Sequence, residues 1–120
     1  MVGLSLTGSL KLAGNKDYKM TEIIIAESFS AYPAGRYPDD GPHNGQDFRE
    51  RFLMPVLAAG GSICLCLDGI KSFADSFFDE ALGGLIRNGY TKEELSLRLK
   101  LDATEPVARF FLPEVKAHLE

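Results

Sequence analysis

Residues 62–88, SICLCLDGIKSFADSFFDEALGGLIRN, carry the clearest structural signal in the chain. Ser62–Asp68 (SICLCLD) is a near-continuous apolar run bounded by glycines, the pattern of a central strand covered on both faces. A short loop follows. From Asp75 to Asn88, the residues Phe77, Phe78, Ala81, Leu82, Leu85 and Ile86 recur at the spacing of one helical face. Gly83-Gly84 inside that helix is costly where solvated, so the pair points to a backbone packed closely against a strand. A buried strand running into an amphipathic helix is the first part of a βαβ unit.

Upstream, Thr21–Phe29 (TEIIIAESF) is dense in β-branched residues and reads as a second strand. Ser30–Gly45 holds three Pro and three Gly and reads as a long loop, a class often functional in compact domains. Gln46–Ala59 places Phe48, Phe52, Leu53, Val56 and Leu57 on a helical stripe, with Asn44 as N-cap and Asp47 in the first turn. Pro55 should kink this helix or end its regular part early, and Gly60-Gly61 stop it.

Downstream, Thr91-Lys92-Glu93-Glu94 has the form of a capping box for a short helix. Leu97, Leu99 and Leu101 alternate with Arg98, Lys100 and Asp102 as in a strand. Thr104-Glu105-Pro106 opens a last helix carrying Val107, Phe110, Phe111 and Val115, and Pro113 argues against one regular helix to Glu120. Residues 1–19 alternate weakly at Leu4, Leu6, Leu10 and Leu12. They are either an edge hairpin or an extension before a domain spanning 20–120. Strands alternating with helices imply right-handed crossovers and a mainly parallel sheet with helices packed against it, an α/β fold.

At 120 residues the chain is one domain. Its 13 Lys+Arg against 17 Asp+Glu give a net charge of −4, which argues against a nucleic-acid binder. The longest apolar stretch, Ile63 to Leu67, is too short to span a bilayer, and no secretory signal is visible. The expectation is a cytoplasmic domain. Cys64 and Cys66 lie on one face of a strand and read as buried thiols rather than a redox pair.

No metal-ligand spacing links His43, His118 or the cysteines, and phosphate-loop and nucleophile-elbow motifs are missing. The reading is therefore non-enzymatic, with no cofactor. Asp75, Asp79 and Glu80 are acids near a helix start, where the dipole favours them. Ser76 reads either as the N-cap, accepting from the N–H of residue 78 or 79, or as a phosphorylation switch. A phosphate there meets the positive helix end and is opposed by Asp75, Asp79 and Glu80. Arg36, Arg49 and Arg51 either gather with Asn44 and Gly45 at the first helix start, making residues 35–51 a docking surface for a phosphate or acidic partner, or Asp47 and Arg51 simply pair at i, i+4.

Strand SICLCLD followed by Phe73, Asp75 and Ser76 resembles the corresponding stretch of STAS domains, the fold of bacterial anti-sigma factor antagonists. There the serine of a Phe-x-Asp-Ser motif is phosphorylated by a histidine-kinase-type ATPase. Where those domains usually carry a small residue two places after the serine, this chain has Phe78. A closer resemblance is to a STAS-like domain family of unknown function found in bacteria and phages. It rests on Gly35-Arg36-Tyr37, on Gly41 to Arg49 (GPHNGQDFR) with Pro55, and on Ser76 to Leu85 (SFFDEALGGL), with Asn44 where that family usually has Ser. The resemblance covers residues 20–120 and implies a STAS-like fold with a signalling or adaptor role.

The resulting expectation is a regulatory module that binds a protein partner through the Ser76 helix start and the 35–49 loop. The partner class is a histidine-kinase-type ATPase or a transcription regulator, and phosphorylation of Ser76 reverses the binding. The alternative is a small-molecule or nucleotide binder using the 35–51 loop and helix start.

Overall fold

The computed structural model describes residues 19–120. The expected N-terminal hairpin or extension, apart from Lys19, lies outside the described residues. Three parallel strands form one sheet in the order β1-β2-β3: β1 (Met20–Ile24), β2 (Ser62–Cys66) and β3 (Leu99–Asp102). Between β1 and β2 come a single helical turn α1 (Ile25–Ser28), a 3₁₀ turn (Pro38–Asp40) and helix α2, residues 45–58. Between β2 and β3 come helix α3, residues 75–87, and helix α4 (Lys92–Arg98). Helix α5 (Pro106–Lys116) and a 3₁₀ turn (Ala117–Leu119) close the chain.

β2 is central, as its apolar run predicts, and four of its five residues are buried. The expected strand over 21–29 is shorter: it ends at Ile24, and the Ile25 carbonyl accepts from the N–H groups of Phe29 and Ser30 at 2.9 and 2.8 Å. The β-branched run suits a strand, but its last residue, fully buried Ile25, sits in a turn that points the chain into the long loop. The alternating segment likewise gives a strand only from Leu99, because Leu97 falls in α4 and is 78% exposed.

The register aligns Ile23, Leu65 and Leu101 across the sheet, with Ile63 beside Leu99. These side chains point to one face, and Glu22, Cys64 and Lys100 to the other. Stepping from strand 1 to 2 to 3 through right-handed crossovers places α2 and α3 on the same face. Phe48, Leu53, Leu57, Phe77, Phe78, Leu82 and Leu85 fill that space with the inward strand residues. Each fully buried side chain of this size contributes roughly 1.5–3 kcal/mol. Cys66 is buried and Cys64 half-buried; both are free thiols, and burial raises the pKa of each.

Both long helices loosen in the middle into one five-residue π segment, Arg49–Leu53 in α2 and Asp79–Gly83 in α3. In α2 the cause is Pro55, whose missing N–H leaves the Arg51 carbonyl without its helical donor. The helix regains α geometry at Met54 and runs on to Ala58, so Pro55 distorts the helix without ending it. Pro106 opens α5, which continues through Pro113 to Lys116 before tightening into the 3₁₀ turn.

Candidate functional site

Everything after the carboxyl ends of the three parallel strands converges on one end of the sheet, where α/β folds usually place their sites. The 30–44 loop leaves β1, residues 67–74 leave β2, and residues 103–105 leave β3. The loops are tied together by backbone bonds from Lys71 N–H to the Ala31 carbonyl (2.9 Å) and from Ala74 N–H to the Pro33 carbonyl (3.2 Å). Gly45 and Gln46 donate to the carbonyls of Gly35 and Arg36, both at 2.9 Å. Gly35 is required at its position. Its φ is +92°, and a Cβ there would lie 2.7 Å from that of Asp40. The Asp40 carboxylate in turn accepts from the N–H groups of Tyr37 and Arg36, which lower its pKa.

Asn44 caps α2 as its sequence position predicts. Its side-chain oxygen accepts from the Asp47 N–H at 2.9 Å, and its amide donates to the Gly41 carbonyl and the Asp47 carboxylate. Asn44 is fully buried, as is the adjoining contact, where a Cβ on Gly45 would meet the Phe77 carbonyl at 2.5 Å. Asn44 and Gly45 therefore serve the packing of α2 on α3.

The three arginines do not gather. Arg36 pairs with Asp79 on α3. Arg49 is buried and donates through Nη1 to the Glu80 carboxylate at 2.8 Å and to the Glu80 carbonyl at 2.6 Å. Arg51 lies over the rings of Phe29 and Phe52, 5.9 and 5.3 Å from their centroids. The i, i+4 alternative is not formed either, because the Asp47 carboxylate turns back to Asn44. Arg49 was open to misreading as a surface charge; the small residue that makes room for it, Gly84, lies on the other helix. Gly83-Gly84 thus face arginine side chains, Arg87 and Arg49, rather than a strand.

The three acids form a charged network with those cations. Asp79 takes Arg36, with Arg87 at 4.0 Å and His118 Nδ1 at 3.8 Å; Glu80 takes Arg49 and Arg87; Asp75 takes His118 Nε2 at 2.8 Å. The hydrogen bond from Arg36 is the main reason the Asp79 carboxyl lies below the usual range. Sequence reasoning missed Arg87 and His118. Arg87 was detectable, since it stands two turns beyond Asp79 and Glu80 on the same helical face. His118 was not, because nothing local links the last turn of the chain to α3.

Ser76 is not the cap. The cap position is Ala74, which has no side-chain hydrogen bond, and Ser76 is the second residue of the helix. Ser76 is half-buried, and its hydroxyl forms no hydrogen bond with another described residue. Two places on, Phe78 is fully buried, edge-on to Phe73 and Phe77 at 5.0 and 4.9 Å. Tyr32 and Tyr37 stand out from the loop, 57% and 48% exposed.

The family model of the STAS-like domain of unknown function (DUF4325) matches residues 44–107. The chain belongs to this family. The matched span includes the Asn44 cap, the Arg49–Glu80 pair, Ser76 and the strands β2 and β3, and leaves β1 and the Gly35-Arg36-Tyr37 loop outside it. No curated protein and no solved structure matches the chain. Among the described residues, no helix is long and apolar enough to cross a membrane.

Proposed function

We propose that this STAS-like domain is a non-enzymatic adaptor that binds a protein partner through one composite face, and that a phosphate on Ser76 reverses the binding. The face consists of the first turns of α3 and the 35–40 part of the loop. The observation that carries the reading is the ion pair between Arg36 and Asp79, which ties two segments 43 positions apart into a single surface. Tyr37, an exposed aromatic of that surface, is of a residue type enriched at the anchoring points of protein interfaces.

Ser76 adds the switch. Its hydroxyl is uncommitted, and the helix N–H groups beside it favour an anion. The acids that oppose a phosphate are largely occupied: Asp79 by Arg36, Glu80 by Arg49, and Asp75 by His118. A dianionic phosphate on this face then repels an acidic partner surface. The partner class that fits is a histidine-kinase-type ATPase, which would itself supply the phosphate, or a transcription regulator.

The test is affinity capture from the native host with wild type, Ser76→Asp and Ser76→Ala, read by mass spectrometry. Wild type and Ser76→Ala should retain a partner that Ser76→Asp loses, and a fraction of wild-type Ser76 should carry phosphate. Identical partners for all three forms, with no phosphate on Ser76, would overturn the switch.

A further inference from the structure

Ser76 and Asp79 are neighbours on the surface of α3. The helix is regular between them, since the Asp79 N–H donates to the carbonyls of Asp75 and Ser76. A spacing of three residues sets their β-carbons ~5–6 Å apart and separates them by ~4.5 Å along the axis. The Ser76 hydroxyl forms no hydrogen bond with another described residue, whereas the Asp79 carboxylate holds the Arg36 guanidinium.

Of the cations bound to the α3 acids, Arg36 is the one placed to change partner. Arg49 is buried and fixed by the carboxylate and the carbonyl of Glu80. Arg87 starts ~16 Å beyond Ser76 along the same helix. His118 is engaged by Asp75 at 2.8 Å. The Arg36 side chain is 41% exposed, and its backbone is anchored independently of it. Its N–H donates to the Asp40 carboxylate at 3.0 Å, and its carbonyl accepts from the Gln46 N–H at 2.9 Å. The guanidinium can therefore swing while the loop stays in place. Asp79 is not left bare by such a move, because Arg87 lies at 4.0 Å and His118 Nδ1 at 3.8 Å.

We propose that a phosphate on Ser76 takes the Arg36 guanidinium from Asp79, so that Arg36 reads the modified state; this rests on the phosphorylation of Ser76 put forward above. The phosphoryl group comes from a nucleoside triphosphate. The bond from its γ-phosphorus to the bridging oxygen breaks, the bond to Ser76 Oγ forms, and the hydroxyl proton passes to a base of the transferring enzyme. The product offers nearly two negative charges and three acceptor oxygens, against the one charge and two oxygens of a carboxylate. An arginine fork pairs with it bidentately. The transfer shifts the tie between loop and helix by one turn toward the start of α3. It also uses up the cation that an acidic partner meets on this face and turns the Asp79 carboxylate toward that partner. Release then follows from a change of sign across the whole face rather than from the phosphate alone.

The full chain with phosphoserine installed at position 76 during synthesis tests the transfer without a partner. Its crystal structure should show Arg36 nitrogens ~2.7–2.9 Å from phosphate oxygens and withdrawn from Asp79. In solution, a double-mutant cycle of Arg36→Gln and Asp79→Asn, read by urea unfolding, should show coupling in the unmodified chain that is lost in the phosphorylated one. A second cycle, of Arg36→Gln against the phosphate itself, should show the coupling that replaces it. Arg36 still on Asp79 in the phosphorylated crystal, or Arg36–Asp79 coupling undiminished by the phosphate, overturns the proposal. These outcomes are separate from affinity capture: partners that Ser76→Asp retains count against the proposed function, whereas an unmoved Arg36 counts against the transfer alone.

Discussion

Arg49 on α2 and Glu80 on α3, 31 positions apart, form a buried ion pair at the point where the π segments of the two helices meet. Both side chains are more than nine-tenths buried, and the Arg49 Nε has no hydrogen-bond partner. Removing one member leaves a buried charge uncompensated. Arg49→Ala should therefore cost about 3–5 kcal/mol in urea unfolding. Replacing both at similar volume, as in Arg49→Met with Glu80→Leu, should recover most of that loss. An Arg49→Ala variant as stable as wild type would refute the assignment.

The glycine pair of α3 should split in its response to alanine. A Cβ on Gly84 collides with the buried, hydrogen-bonded guanidinium of Arg49, which has nowhere to go. Gly84→Ala should cost about 1–3 kcal/mol, the usual range for overpacking. A Cβ on Gly83 meets instead the Nη1 of Arg87 at 3.0 Å, the end of a half-exposed side chain that can shift. Gly83→Ala should thus be neutral or slightly stabilising through helix propensity. Thermal unfolding of the two variants distinguishes them.

Asp68 links the end of β2 to the start of α5. Its carboxylate accepts from the backbone N–H groups of Glu105 and Thr104 and from the Thr104 hydroxyl, and these bonds hold its pKa at about 2. A depressed carboxylate stabilises the fold above its ordinary pKa, and that contribution is lost as the pH falls through the depressed one. The stability difference between wild type and Asp68→Asn should be constant above roughly pH 5 and shrink toward pH 2. A difference that grows on acidification contradicts the geometry.

Arg36→Ala should release the loop rather than unfold the domain. The carboxyl of Asp79 should titrate higher in this variant, because the Arg36 hydrogen bond is the largest cause of its depression. Amide exchange at Gly45 and Gln46, which donate to the Gly35 and Arg36 carbonyls, should accelerate while the core strands remain protected. Uniform acceleration throughout the chain would show that the ion pair supports the whole fold instead.

The elements legible in the sequence were those decided by local chemistry. Asn44 caps α2, Thr91 caps α4 with its hydroxyl 3.0 Å from the Glu94 N–H, and SICLCLD gives the central strand. What stayed hidden depends on contacts between distant segments. The start of α3 is two residues earlier than Ser76 as cap requires, because Ala74 is held by the Pro33 carbonyl of the other loop. Arg49 resembles any helical surface charge until the crossing of α2 and α3 buries it. Arg36 and Asp79 approach only because β1 and β2 are neighbours in the sheet. Periodicity reports which face of a helix is apolar; it carries no information on which helix that face meets.

The middle position of β2 also sets the smallest piece of this chain that can stand alone. The family match begins at Asn44, after β1. A fragment cut there would strip one flank from β2 and bare the backbone groups of Ser62–Cys66, next to the most apolar segment of the sequence. Unprotected flanks of this kind recruit other chains into aggregates. The span by which the family is recognised is thus shorter than the unit that folds, and expression of the domain by itself should start no later than Lys19.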